Sequence, residues 1–251
     1  YASYSEGYMP GNANDSILTS GVSAQEAELT EVMEIGTKSS FMDGRLKLNA
    51  AYFDQDFLNK SITVAATTSS GAPSVETRVQ PVVEMSGYEL DMSYMISDSL
   101  MFGIAIGHVE GDEGGELDYN VAGAEDTYSV SLTHSGMIGN IPTTTVLRSY
   151  TASEDLMTSY RNSPGMDCAA VPTYPGCASN GGNGHLSIPE YTLVNLNVSM
   201  TVSENATVNL FVENLADEEY SFAGLDLAAI GMHAFYNGPP RTSGISVTVN
   251  F

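Results

Sequence analysis

Apolar residues fall on every second position along much of this chain. In "GISVTVNF", Ile245, Val247, Val249 and Phe251 alternate with Gly244, Ser246, Thr248 and Asn250. "TLVNLNVSMTV" sets Val194, Leu196, Val198, Met200 and Val202 against Asn195, Asn197, Ser199 and Thr201. "GYELDMSYMI" sets Tyr88, Leu90, Met92, Tyr94 and Ile96 against Gly87, Glu89, Asp91 and Ser93. The same alternation runs through Leu46, Leu48, Ala50 and Tyr52, through Leu100, Phe102, Ile104 and Ile106, and through Val208, Leu210 and Val212. A period of two means a strand with one apolar and one polar face. About ten such strands are predicted, and no helical period of comparable strength competes with them.

The segments between these strands alternate in length. "MDG" at 42–44, "SDS" at 97–99, "SGMIGN" at 135–140 and "SEN" at 203–205 hold the Gly, Asn, Asp and Ser of tight turns. Residues 6–30, 60–81, 111–125, 154–187 and 215–240 are long, and rich in Gly, Pro, Ser and acids. Structureless connections of that length are uncommon in compact soluble domains. Brief turns at one rim and long loops at the other are what a transmembrane barrel shows, with the turns periplasmic and the loops extracellular. The expected fold is therefore all-β, an antiparallel transmembrane β-barrel. Ile245, Val247, Val249, Leu196, Val198, Leu210 and Val212 are predicted to face lipid. Asn195, Asn197, Thr248 and Asn250 are predicted to face the lumen.

Composition supports the picture and removes some partners. The chain has 251 residues, 42% of them hydrophobic, enough for a sizeable folded unit. Eight basic residues against 31 acidic give a formal charge of −23, a field that repels nucleic acid and anionic headgroups. No apolar run approaches the roughly 18 residues of a membrane-spanning helix, so a membrane crossing must use strands. The chain starts at Tyr1 with no signal peptide ahead of it, which reads as part of something longer. Its two cysteines, Cys168 and Cys177, lie in the loop-like "MDCAAVPTYPGCASNGGNG". They read as a disulfide pair in an oxidising compartment rather than a metal site, since His185 alone is a poor third ligand.

Several segments carry a more specific likeness. "YASYSEGYMPG", "EIGTKSSFMDGRLKLNAAYF", "YTLVNLNVSM", "LFVENLADEEY" and "GPPRTSGISVTVNF", in that order, resemble the C-terminal part of the barrel of TonB-dependent outer-membrane receptors. The resemblance implies that residues 1–251 are about ten strands of a barrel of about 22, with the plug domain and N-terminal barrel strands upstream. It also implies the bacterial outer membrane and active uptake of a scarce solute, such as a ferric siderophore, cobalamin or a glycan. The implied partners are outer-membrane lipid, that small-molecule or metal-chelate ligand, TonB through the upstream region, and the barrel-assembly machinery through the strand ending in Phe251. With no Trp present, Tyr and Phe are left to form the interfacial aromatic belt.

Candidate chemistry is sparse, and no cofactor, metal site or catalytic residue is assigned. "EGDEGGELD" holds Glu110, Asp112, Glu113, Glu116 and Asp118 within 110–118 but lacks calcium-loop spacing, so it reads as a solvated loop. His108, His134, His185 and His233 show no metal-ligand spacing. Glu89 and Asp91 would line a lumen, and Arg241 in "PPRTSG" would tie loop carbonyls or a carboxylate. Two other readings stand beside the receptor. One is a small outer-membrane hydrolase barrel assembling Asp155, Asp167 and His185; the other is a soluble all-β adhesin or binding module.

Overall fold

The computed structural model describes residues 1–11, 13–14, 23–67, 73–112, 123–156, 187–227 and 232–250. Ten strands make one antiparallel sheet: β1 (Ala2–Met9), β2 (Glu28–Phe41), β3 (Leu46–Thr67), β4 (Pro73–Ser97), β5 (Leu100–Asp112), β6 (Asp126–Ile138), β7 (Ile141–Ala152), β8 (Tyr191–Ser203), β9 (Ala206–Glu213) and β10 (Thr242–Val249). Their spatial order is their chain order, an up-and-down meander. In such a meander each strand pairs with its sequence neighbour, which suits the alternation of short and long connections.

The four tight turns lie at one end of the sheet. β2 and β3 are joined by a single 3-10 turn, Met42–Gly44, in which Asp43 has φ 54°. Arg45, just after it, donates from Nε and Nη2 to Met95 O (3.2 and 3.1 Å) and from Nη2 to Ile96 O (3.1 Å). The guanidinium thus ties this turn to the neighbouring β4–β5 turn. Asp98–Ser99, Gly139–Asn140 and Glu204–Asn205 close the other three.

At the opposite end the long connections are more ordered than their composition suggests. Most of the expected 60–81 loop is instead the continuation of β3 and β4, paired from Lys60↔Gln80 to Thr67↔Pro73. The sequence there, "SITVAAT" and "PSVETRV", is rich in β-branched types, and that propensity carries the hairpin past the sheet's rim. Asp155–Leu156 pairs with Ser187–Ile188, and Ser221–Leu227 pairs with Met232–Asn237, so parts of 154–187 and 215–240 are also paired strands. Gly and Pro content marked these segments correctly as interrupted but understated the strands inside them.

The register puts the predicted faces together. Leu196 opposes Val212, Val198 opposes Leu210, and Leu210 opposes Ile245, with Val208 opposite Val247 and Ala206 opposite Val249. All seven residues expected to face lipid therefore share one surface, which continues through Leu147, Leu132, Phe102, Tyr94 and Leu46. Asn195, Asn197 and Thr248 lie on the other surface, with Glu89, Asp91 and Arg148.

Neither surface is a conventional core. Among the described residues only Val83, Ala152 and Ile188 are buried apolar groups, while Ile245 is 66% exposed and Met33 is 64% exposed. A water-soluble protein rarely displays a continuous apolar sheet face of this extent, because each apolar Å² left in water forfeits roughly 25 cal/mol. Hydrocarbon removes that penalty. The face is also banded as a membrane requires. Phe41, Tyr94 and Phe102 lie near the tight turns, and Tyr52, Tyr88 and Tyr128 lie toward the other end. Tyr88 and Tyr94 are six residues apart, about 20 Å at ~3.4 Å per residue. Beyond the upper tyrosines the same face turns to Asp54, Asp56, Glu84, Glu110 and Asp126, where headgroups and water begin. His108 marks the boundary, stacked on Tyr88 at 5.1 Å and hydrogen-bonded through Nδ1 to Asp126 at 2.8 Å.

Candidate functional site

The polar surface holds the groups that can meet a solute. Its register is fixed by aromatic rings lying over glycines of the next strand. Phe53 opposes Gly87 and Phe211 opposes Gly244; a Cβ on either glycine would come within 2.5 Å of the ring. Tyr1 exchanges both backbone hydrogen bonds with Gly36 (3.0 and 2.9 Å), and its ring covers that glycine in the same way. A missing Cβ lets a flat ring cross the strand, which shields the backbone and fixes which residues are opposite.

Beside Tyr1 the polar face forms a concavity of about 510 Å³ over β2–β7. Glu34, Glu89 and Asp91 bring carboxylates to it, Asn49 donates to Asp91 Oδ1 at 3.3 Å, and the Lys38 ammonium sits 5.5 Å from the centre of the Tyr1 ring. Glu89 and Asp91 thus lie where the alternation predicted.

A second concavity, of about 480 Å³, lies at the end with the long connections, between the start of β8 and residues 217–221 and 237–240. The segments that line it are tied together by a knot around Asn214, which is 4% exposed and has φ 51°. Asn214 N donates to Asn195 Oδ1 (2.9 Å), and Nδ2 donates to Glu218 O (2.9 Å) and Pro239 O (3.3 Å). Its Oδ1 accepts from Glu218 N at 2.8 Å. Three separate segments thereby satisfy the backbone N–H and the side-chain amide of one buried residue. Arg241 completes the clasp. Its N donates to Asp217 Oδ1 (2.9 Å), Nη2 is 3.6 Å from Asp217 Oδ2, and Nη1 reaches Leu215 O at 3.5 Å. The expected tie to a carbonyl and a carboxylate is what the structure shows. Nothing in the alternating pattern marks Asn214, although Asn is the residue type that tolerates a left-handed backbone after a strand.

Two tyrosines line this upper concavity. Tyr191 lies 4.8 Å from Tyr220 and 6.3 Å from Tyr150, ring centre to ring centre. Tyr220 in turn covers Gly238, whose N donates to Tyr220 O at 2.8 Å. Glu190, Glu218 and Glu219 flank the rings, and none of them joins an ion pair among the described residues. No metal-holding cluster of His, Cys, Asp or Glu occurs among the described residues. Cys168, Cys177, Asp167, His185, Phe251 and residues 113–122 of the acidic loop lie outside the described residues. Asp155 pairs in the short strand with Ile188.

An open-ended meander with a banded apolar face, a polar inner face, tight turns below and hairpins above is a segment of an outer-membrane β-barrel. The profile of the TonB-dependent receptor-like β-barrel family matches residues 1–215, and the chain belongs to that family. Its place is the bacterial outer membrane, with the tight turns periplasmic and the long connections extracellular. Among solved structures it is similar over its whole length to the ferric yersiniabactin uptake receptor FyuA from Yersinia pestis, at 15% identity, TM-score 0.72 and 34% of that chain. It is likewise similar to the ferric-catecholate import receptor Fiu from E. coli K12 (16%, 0.69, 32% of that chain) and the ferripyoverdine receptor of Pseudomonas aeruginosa (17%, 0.66, 30% of that chain). The chain thus spans about a third of the length of the receptors it matches. No curated protein matches it in sequence.

Proposed function

We propose that this chain is the C-terminal portion of the barrel of an outer-membrane receptor that takes up a scarce solute with energy delivered through TonB. The observation that carries the proposal is the match of residues 1–215 to the family of transport receptors, on a sheet whose two faces suit lipid and a polar lumen. The receptors that it resembles import ferric yersiniabactin and ferric catecholates, and the copper transporter OprC is also similar. Those titles support a metal-chelate or other scarce small solute as the cargo class. In this reading a plug domain and the remaining strands precede Tyr1, TonB acts through that upstream region, and the barrel-assembly machinery engages the strand ending at Phe251. Deleting the full-length gene, or tonB, should abolish uptake of the solute, and complementation should restore it. Uptake that persists without TonB overturns the reading.

Two parts of the proposal have their own tests. Expressed alone, residues 1–251 leave β1 and β10 at the two ends of the sheet order with unpaired edges, each costing several kcal/mol in lipid. Refolding in detergent should give aggregates or pairs; a heat-resistant monomer on a gel would show the ten strands to be sufficient. Cys168 and Cys177 form a loop disulfide in this reading, worth roughly 2–3 kcal/mol locally. Thiol titration of denatured, unreduced protein should find neither thiol free.

A further inference from the structure

The lumenal face carries aromatic rings beyond those seated over glycines. Phe53, Phe211 and Tyr1 each seal a glycine on an adjacent strand, and Tyr220 covers Gly238. Tyr150 and Tyr191 cover no described glycine, yet with Tyr220 they form a ladder at 6.3 and 4.8 Å spacing. Tyr150 lines the concavity of about 510 Å³ beside Tyr1, while Tyr191 and Tyr220 line the concavity of about 480 Å³ at the extracellular mouth. The ladder therefore joins the mouth to the lumen. Carboxylates neighbour both of its ends, Glu190 and Glu219 above and Glu89 and Asp91 below, while Lys38 also lines the lower concavity and Arg148 shares the lumenal face two residues from Tyr150.

We propose that this tyrosine ladder is a solute track for an organic cation, a species with an ammonium or similar positive N–H-bearing group on an apolar body. The inference rests on the uptake reading above and names the cargo's charge. Tyrosine faces present negative quadrupole density and attract cations within about 6 Å of the ring centre. Flat rings also hold an apolar body at low entropic cost, because few side-chain torsions need fixing. The flanking carboxylates accept hydrogen bonds from N–H groups and repel anions, and the net charge of −23 extends that preference outward. Lys38, the basic group lining the lower concavity, is engaged over the Tyr1 ring. Ring centres 4.8 and 6.3 Å apart put neighbouring rings within about the reach of a single cation–π contact of one another.

The test uses the full-length receptor in detergent with benzylammonium as probe, and benzoate as the anion of similar shape. Binding is followed by saturation-transfer NMR and calorimetry. The cation is expected to bind about tenfold more tightly than benzoate, a gap of one cation–π contact plus a carboxylate. Tyr191→Leu, which keeps bulk but removes the ring face, should weaken the cation about fivefold or more while benzoate is unchanged. Glu219→Gln, on an exposed side chain that folding does not need, should weaken it several-fold and make binding less salt-dependent. Equal or tighter benzoate binding, or a cation affinity indifferent to both substitutions, overturns the proposal. Uptake separates the two levels: tonB-dependent import of an anionic solute together with failed cation binding leaves the receptor reading intact and removes the track. Cation binding at the ladder with uptake indifferent to tonB does the reverse.

Discussion

On β4, Tyr88 and Glu89 are adjacent in the chain and belong to different solvents. Tyr88 stands in the upper belt of the apolar face, stacked on His108, while Glu89 lines the lumenal concavity. The two faces differ in how specific their contacts are. The outward face is a field of Leu, Ile, Val, Met and Tyr whose neighbours are interchangeable, because lipid accommodates any apolar shape. The lumenal face depends on particular fits: rings over Gly36, Gly87 and Gly244, the Asn214 knot, and the tyrosine ladder. Lipid-facing positions should therefore respond to polarity and lumenal ones to shape.

Charge insertion gives the sharpest contrast, in the closed full-length barrel. Val130→Arg places a guanidinium mid-way between the two aromatic belts on the lipid face and should cost about 2–4 kcal/mol in equilibrium unfolding from vesicles. Thr133→Arg, three residues along β6 on the lumenal face, should cost under about 1 kcal/mol. Similar losses at both would show that the faces are assigned wrongly.

Asn214→Ala should cost about 1–3 kcal/mol, since it leaves the partners of a buried amide unsatisfied and puts Ala, which tolerates a left-handed backbone less well than Asn, at φ 51°. The loss should be local: limited proteolysis near 217–240 should accelerate before the barrel's heat-shifted gel mobility changes. Gly87→Ala and Gly244→Ala should each cost about 1–3 kcal/mol by overpacking. Phe211→Ala should rescue the second, where the three nearest atoms all belong to the ring. Phe53→Ala should rescue the first only in part, because the His108 carbonyl also crowds that Cβ. Equal rescue at both sites would argue that the strand spacing differs from that described.

The smallest effect belongs to the clasp's ion pair. Arg241 and Asp217 are about half exposed, so Arg241→Met should cost no more than about 1 kcal/mol in thermal unfolding. Asp217→Ala should cost more, because its carboxylate also accepts the Arg241 backbone N–H and its backbone sits at φ 58°. If the order is reversed, the charge rather than the backbone hydrogen bond holds the clasp.

The alternation in "NLNVSM" and "GISVTVNF" was enough to fix strand type, face and the sidedness of the loops, because period two is a local property that a membrane enforces on every strand. It was also enough to place Glu89 and Asp91 on the lumenal side and to single out Arg241. Local pattern could not show which aromatic lies over which glycine. Phe53 and Gly87 are 34 positions apart, and only the pairing register brings them together. The Asn214 knot was equally hidden, since its partners Asn195, Glu218 and Pro239 come from three separate segments. Strand content in the long connections was understated because Gly and Pro counts outweighed the β-branched residues between them. The sequence by itself thus determined what each strand shows to lipid and water, a choice made residue by residue against the solvent. Only the tertiary structure decided how Tyr150, Tyr191 and Tyr220 meet, because their adjacency comes from the β7–β8 pairing and from a loop folded back by one buried amide.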